Sequence, residues 1–420
     1  MHLLRRGFLK LSAIAAGAAL PGTAFAQSTG VPDVIRKLTP MTAGISPITR
    51  DERLARIEKA RRLMVENHMD AIVLEPGSSL SYFTDARWGL SERPFVAVIP
   101  ARGELGYVVP GFEKMRAEEQ IHFGNDIRVW EEDESPYQRI VEILKDRGTP
   151  AHRVGFEERV RFFVFDGVRQ EAPGIQLVSA TPVTAGCRMI KSPAEIALMQ
   201  RANDITVEAF RAAFATIRDG MTQNEIRANV SAAFRALGAN GSALVNLGQY
   251  TAYPHGTIQP QKLREGDFVL IDGGCDVEGY RSDITRTVAF GTPSARQREV
   301  WSLEHKAQDA GFAAAQVGRT CESVDAAARK VITDAGFGPG YRVPGLPHRT
   351  GHGIGLDGHE WTNFVRGNKT LIQPGMCFSD EPMIAIYGEF GVRLEDCLYV
   401  TEGGPRFFSK QSPSIDQPFV

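Results

Sequence analysis

The sequence predicts two folded domains: a small α/β domain, then a larger one in which helices lead into strand hairpins. Three observations predict this. The chain has 420 residues, more than one core usually spans. Its hydrophobic fraction is 43%, with 42 Gly and 24 Pro, too apolar for a disordered chain and too poor in Gly and Pro for a fibre. Strand-like and helix-like apolar patterns alternate up to about residue 187, and a strong helix start follows at Ser192.

Charge and hydropathy exclude other classes. Lys+Arg is 48 against Asp+Glu 50, a net charge of −2, so no basic excess meets a phosphate backbone and no nucleic-acid partner is expected. No apolar run reaches the ~20 residues that span a bilayer, so no stable membrane insertion is expected.

Residues 1–26 read as an export signal. Arg5-Arg6-Gly7-Phe8-Leu9-Lys10 precedes a mildly apolar Ala/Gly-rich stretch, and Ala24-Phe25-Ala26 offers a cleavage site. This order resembles a twin-arginine signal, which implies export to the periplasm in the folded state. Removal of Arg5, Arg6 and Lys10 takes away three positive charges and brings the net charge from −2 to −5. Five scattered cysteines (Cys187, Cys275, Cys321, Cys377 and Cys397) form no CxxC pair, so buried thiols are expected, not a disulfide framework or a zinc-thiolate site.

Residues 27–50 form a polar leader. Leu54, Ile57, Ala60, Arg61 and Met64 then follow helical spacing. The runs Asp70-Ala-Ile-Val-Leu74, Phe95-Val-Ala-Val-Ile99 and Gly106-Tyr-Val-Val109 read as buried strands, and residues 138–146 as a helix. Residues 51–187 are thus expected to form the α/β domain. No nucleotide-binding glycine fingerprint follows its strands. Residues 188–420 form the second domain. Ser192-Pro193-Ala194-Glu195 and Thr222-Gln-Asn-Glu225 are capping boxes that start two helices, each with an apolar face behind it.

The chemistry-bearing residues follow. Phe268-Val-Leu-Ile271 reads as a strand ending at Asp272, with Gly273-Gly274 as a turn. Asp283 lies eleven residues on, against the β-rich run Ile284-Thr-Arg-Thr-Val288, where an unpaired Asp is disfavoured. A hairpin brings both carboxylates to one place. His348, His352 and His359 fall within twelve residues, with glycines around His352. Glu381 and Glu395 lie on what reads as a strand, a turn and a returning strand. Buried together, four carboxylates and one imidazole repel and lose solvation unless cations neutralise them. Two divalent cations do so. The oxygen-rich set suits Mn²⁺, Co²⁺ or Fe²⁺, with Zn²⁺ as an alternative.

The texts Asp272-Gly-Gly, Gly279-Tyr-Arg-Ser-Asp283-Ile-Thr-Arg-Thr, His348-x-x-Gly-His352-Gly-Ile-Gly-Leu, Gln373-Pro-Gly-Met and Val392-Arg-Leu-Glu395-Asp396 together resemble the pita-bread metallohydrolases. They are closest to the branch of prolidase, aminopeptidase P and creatinase. Arg188-x-x-Lys191-Ser-Pro-Ala-Glu195-Ile matches the start of that branch's catalytic domain. The resemblance implies an α/β N-terminal creatinase-like domain, an α+β C-terminal pita-bread catalytic domain and a homodimer. It implies that Asp272 binds one metal, that His352 and Glu381 bind the other, and that Asp283 and Glu395 bridge them. His255, in Tyr253-Pro-His255-Gly, and His359 match substrate-facing histidines. His348 matches a supporting histidine, and Arg393 the arginine before the last ligand.

The implied activity is cleavage of Xaa-Pro bonds in a proline-containing peptide. A water made acidic between two cations, most naturally Mn²⁺, supplies hydroxide, and Glu381 shuttles the proton. Two departures fall outside the ligands. Trp361-Thr-Asn363 follows His359-Glu360, where many of the peptidases have Pro and a large or basic residue, and Pro382-Met383 replaces Pro-Gly. A non-peptidase relative acting on a small amide, or as a lyase on a small metabolite, therefore stays open as the alternative, as does a relative that binds without catalysis. Arg87, Trp88 and Arg93 read as domain packing, with reach into a partner's pocket as the second reading.

Overall fold

The computed structural model describes residues 30–147 and 153–420. The export signal expected at residues 1–26, and the first residues of the leader, lie outside the described residues. Residues 32–420 form one compact unit. Among the described residues no helix is long and apolar enough to cross a membrane.

The N-terminal half is built on a six-stranded sheet. Its strands are β1 (Ala71–Leu74), β2 (Val96–Pro100), β3 (Gly106–Pro110), β4 (Asp126–Trp130), β5 (Arg153–Phe156) and β6 (Gln176–Ser179), in the order β4-β3-β2-β1-β5-β6. β1, β2 and β3 are wholly buried, as continuous apolar runs without alternation require, because both faces of the sheet are covered. The helix Arg50–Glu66 packs Ile57, Ala60 and Met64 into the core on one face, and Pro136–Asp146 packs Ile140 and Ile143 into the core on the other. Arg87, Trp88 and Arg93 all make contacts within the chain, and that of Arg87 reaches the C-terminal half. Arg87 pairs with Glu278 at 3.4 Å, Trp88 stacks on Phe95, and Arg93 pairs with Glu132 at 2.7 Å.

The C-terminal half opens with the helices Pro193–Phe214 and Gln223–Ala236. Both capping boxes are formed: Ser192 and Thr222 accept from the third helical N–H, and Glu195 and Glu225 accept from the cap N–H in return. These helices cover a sheet of β7 (Asn240–Leu247), β8 (Phe268–Val277) and β10 (Ile284–Ala289), with the short β9 (Tyr280–Arg281) paired to β8. A second sheet runs in the order β12-β11-β13-β16-β17. Its strands are β11 (Gly351–Gly353), β12 (Glu360–Phe364), β13 (Cys377–Asp380), β16 (Asp396–Thr401) and β17 (Gly404–Phe407). The hairpin β14 (Met383–Ile386) and β15 (Phe390–Arg393) closes the set. All five cysteines are free and buried.

One expectation is corrected. β8 does not end at Asp272, and Gly273-Gly274 is not a turn. The strand continues to Val277, and the chain reverses at Glu278-Gly279, both at positive φ. The glycines serve close approach. A Cβ on Gly273 would sit 2.3 Å from the Ser242 carbonyl oxygen, and one on Gly274 2.1 Å from that of Ser282. Asp272 is therefore a mid-strand residue, flanked by Leu244 of β7 and Thr285 of β10.

Candidate metal centre

Two β ladders meet at the site. Asp272 is on β8, and Asp283 stands at the first residue before β10. Thr285 of β10 and Glu395, between β15 and β16, form an isolated antiparallel bridge with N–H to carbonyl distances of 3.3 and 3.1 Å. That bridge ties the first sheet to the second. His352 is the middle residue of β11, and Glu381 follows the last residue of β13. The glycines on either side of His352 face strand carbonyls. A Cβ at Gly351 would meet the Ser379 carbonyl oxygen at 2.1 Å. Small residues here bring β11 against its neighbours with His352 buried between them.

All nine residues expected from the sequence line one cavity of about 410 Å³: His255, Asp272, Asp283, His348, His352, His359, Glu381, Arg393 and Glu395. Two trios place one donor atom from each residue within 4.8 Å of one another. One is Asp272, Asp283 and Glu395; the other is His352, Glu381 and Glu395. A third trio joins Asp283 and His352 to His359. His352 Nε2 lies 3.3 Å from Glu381 Oε1 and 3.9 Å from Asp283 Oδ2. Its Nδ1 lies 3.1 Å from the Gly353 carbonyl oxygen, so the proton sits on Nδ1 and the Nε2 lone pair faces the acids.

The surroundings orient these groups. Arg393 donates through Nη2 to Asp272 Oδ2 at 2.5 Å, through Nε to Thr285 Oγ1 at 3.1 Å and through Nη1 to the Pro254 carbonyl at 3.1 Å. The last bond anchors the segment that carries His255. The Thr285 hydroxyl lies 2.9 Å from Asp272 Oδ1 and 2.6 Å from Glu395 Oε2, and with one proton it serves one of them at a time. Behind the cavity, the fully buried Arg286 donates to the Glu395 carbonyl at 2.8 Å and to Asp396 Oδ1 at 2.7 Å. Ser379 Oγ accepts from the His352 backbone N–H at 3.0 Å.

The electrostatics are those of crowded, buried carboxylates. Burial, then the Asp272 and Glu381 carboxylates, hold Asp283 well above the usual carboxylate range. Burial, then Asp283 and Glu381, do the same to Glu395. Burial pushes Glu381 up to about 7, against the opposing pull of Arg393. Burial lowers His352 well below its ordinary value and His348 to about 3, so both rings are neutral ligands or acceptors at physiological pH. Glu395 Oε1 is buried and has no hydrogen-bond partner. Arg393, and Arg349 acting on Glu381, face four carboxylates and leave the set net negative. Hard oxygen donors, one lone-pair imidazole and an orphaned carboxylate oxygen are what a pair of divalent cations requires, so the residues fit such a group.

Two residues at the cavity carry no role in the sequence reading. Thr285 lies two residues beyond Asp283, and the period of two along a strand puts both side chains on one face; that was the available signal. Arg349 sits between His348 and Thr350, where its sequence neighbours give no signal of its contact. Its Nη2 lies 3.0 Å from His359 Nδ1.

Comparison with known proteins gives two family matches. Residues 197–402 match metallopeptidase family M24, and residues 56–190 match the creatinase/prolidase N-terminal domain. An uncharacterised peptidase of Schizosaccharomyces pombe is 36% identical over 393 residues, covering 89% of this chain and 84% of that protein. The Xaa-Pro dipeptidase of Lactobacillus helveticus is 31% identical over 364 residues, covering 84% and 96%. The crystal structure of a Thermococcus sibiricus prolidase superposes with a TM-score of 0.79 at 28% identity, covering 87% of this chain and 98% of that one.

Proposed function

Because the chain belongs to metallopeptidase family M24 and carries a creatinase/prolidase N-terminal domain, we propose that it hydrolyses Xaa-Pro peptide bonds at a dinuclear metal centre. The observation that carries this is the pair of ligand trios sharing Glu395 inside one cavity. Asp272, Asp283 and Glu395 would hold one cation, and His352, Glu381 and Glu395 the other, with Asp283 close to both. When bound, such cations supply Lewis acidity and a nucleophilic water at neutral pH.

The chain's own groups do the rest. Arg393 and Thr285 hold Asp272 in place. His359 accepts from Arg349 at Nδ1, so Nε2 carries its proton and donates toward a substrate oxygen. His255, on the segment tethered through Pro254, faces the same space. The scissile amide nitrogen is proline's own ring nitrogen and has no N–H, and as the leaving amine it needs a proton. Glu381 is the group in the cavity placed to carry it on its carboxylate.

Manganese is the favoured metal, since the donor set is mostly oxygen and the twin-arginine route lets the protein fold and load in the cytoplasm before export. The chain works in the periplasm as a homodimer, as its signal-like N-terminus and its family resemblance imply, with residue 188 dividing its two domains. Replacing Arg5 and Arg6 by Lys should abolish periplasmic accumulation, and light scattering should give twice the chain mass. The functional test is a panel assay of Mn²⁺-loaded protein on Ala-Pro, on Ala-Pro-Yaa peptides and on small nitrogenous or sulfonium metabolites. The reading expects release of proline or of a proline-containing product. Turnover of the metabolites with no cleavage of any Xaa-Pro bond would establish the non-peptidase alternative instead.

A further inference from the structure

His359 stands at the end of a loop, residues 354–359, that joins β11, the strand of His352, to β12. The first part of the loop is tied by its backbone. Ile354 N–H donates to the Cys377 carbonyl at 3.2 Å, and the Gly355 carbonyl accepts from Arg281 N–H at 2.8 Å. The tip is Asp357-Gly358-His359. Gly358 has no side chain to hold it. The exposed His359 ring lies 3.9 Å from the His352 ring between centroids and, among the described residues, has one hydrogen bond, from Arg349. The side chain that fixes the tip is Asp357.

Two of the three donors to Asp357 come from the α/β domain. Its Oδ1 accepts from Ser78 Oγ at 2.7 Å and from Arg159 Nη1 at 2.9 Å, and its Oδ2 accepts from Arg188 Nη2 at 2.7 Å. Ser78 opens the helix Ser78–Thr84, and Arg159 follows β5. The first two bonds span 279 and 198 positions of sequence, so no local turn accounts for them. Three donors, two of them charged, converge on one carboxylate two residues before a substrate-facing histidine. On the other side of that histidine, Glu360 is gripped by Arg188 and Lys191. His359 is thus bracketed by two anchored acids, and the first anchor reaches into the other half of the chain. A donor aimed at developing oxygen charge must already be in place, because a displacement of about 1 Å can cost ~100-fold in rate.

We propose that the α/β domain positions His359 for catalysis: Ser78 and Arg159 fix Asp357, and Asp357 fixes the loop tip that presents the His359 ring to the substrate oxygen. This rests on the Xaa-Pro reading above and adds to it the residues that hold the oxygen-facing histidine. Ser78, Arg159 and Asp357 are positioning residues and touch no reacting atom.

The test variant is S78A/R159M, which removes both bonds from the α/β domain and leaves Arg188 on Asp357. Arg159 is half exposed, and an exposed pair contributes little to stability, so the variant should keep the wild-type urea midpoint and metal content. With Mn²⁺-loaded protein and Ala-Pro, kcat should fall roughly 10-fold while KM stays within about 2-fold, since the His359 bond strengthens in the transition state. S78A/R159K should recover part of the loss. The same substitutions are then placed in H359A. There they should change kcat by less than about 2-fold, because groups that act through His359 have nothing left to act on. An unchanged kcat in S78A/R159M, or an equal loss with and without His359, overturns the proposal. Hydrogen–deuterium exchange reads the same contacts without turnover. Amides of residues 354–360 should exchange at least ~10-fold faster in S78A/R159M, with the helix Pro193–Phe214 as in wild type. Loop exchange equal to wild type also overturns the proposal. Wild-type protein that cleaves no Xaa-Pro bond defeats the Xaa-Pro reading, and the exchange comparison still decides whether the α/β domain holds the loop.

Discussion

Two groups of buried acids in this chain face the same penalty and meet it in opposite ways. At the junction of the two halves, Glu360 and Asp357 lie against Arg188 and Lys191. Lys191 Nζ is 3.0 Å from Glu360 Oε2, Arg188 Nη2 is 2.7 Å from Asp357 Oδ2, and Arg188 also pairs with Glu360 Oε1. Burial alone would raise Glu360, yet Lys191 and Arg188 bring it down to about 2. In the cavity, Asp283, Glu381 and Glu395 are all pushed up. The first group carries its cations in the sequence. The second must take them from solution. In the cavity the acids crowd one another and open onto space that cations can enter; at the joint each acid already has its cation.

The largest effect expected from this contrast is on activity. Asp283→Asn removes a donor close to both trios, and kcat/KM should fall at least ~1,000-fold, about 4 kcal/mol in barrier, in steady-state assays at saturating Mn²⁺. Retention of more than a tenth of the activity would break the assignment of Asp283.

The joint should respond in stability instead. Glu360→Gln leaves Arg188 and Lys191 without their buried partner and should cost about 3 kcal/mol in urea unfolding. Metal affinity should stay within about 2-fold of wild type. The reverse pattern, normal stability with lost metal, would mean that the two regions have been assigned the wrong way round.

Acid separates them further. The folded pKa of Glu360 is depressed to about 2, below its unfolded value near 4.5. Its contribution is therefore fully present above pH ~4.5 and is lost as pH falls through ~2. The shift amounts to roughly 3 kcal/mol across that window. Stability of wild type should decline over this interval more steeply than that of Glu360→Gln. Parallel curves would remove the ion pair from the account.

The smallest effect has the opposite sign. In metal-free protein, Glu395→Gln removes a buried carboxyl that burial and its acidic neighbours hold well above its usual range and that Arg393 offsets only in part, and the midpoint of urea unfolding should rise by the equivalent of ~1 kcal/mol. A loss of stability in the metal-free variant would show that Glu395 is already compensated by its neighbours.

The sequence was readable where the physics is local. The capping boxes at Ser192 and Thr222 involve groups three residues apart, and both are formed as their spacing predicts. The strand cores at Ala71–Leu74, Val96–Pro100 and Gly106–Pro110 follow from continuous apolar runs. The acids Asp272, Asp283, Glu381 and Glu395 and the histidine cluster around His352 stood out near strand ends, whereas His255 and Arg393 were named only through the family resemblance; one cavity gathers all nine. What failed was tertiary. Gly273-Gly274 reads as a turn by composition, and only the closeness of Ser242 and Ser282 shows why a strand needs glycine there. The motif Arg188-x-x-Lys191 was visible as a resemblance, but its partner Glu360 is 169 positions away from Lys191, and nothing local links them. Arg349 had no signal at all, because its meaning depends on His359 standing opposite it.

The most direct test of the dinuclear centre is an anomalous difference map from a crystal of the Mn²⁺-loaded protein. The account predicts two peaks in the cavity, one among Asp272, Asp283 and Glu395 and one among His352, Glu381 and Glu395. A single peak, or peaks only outside this cavity, would contradict it.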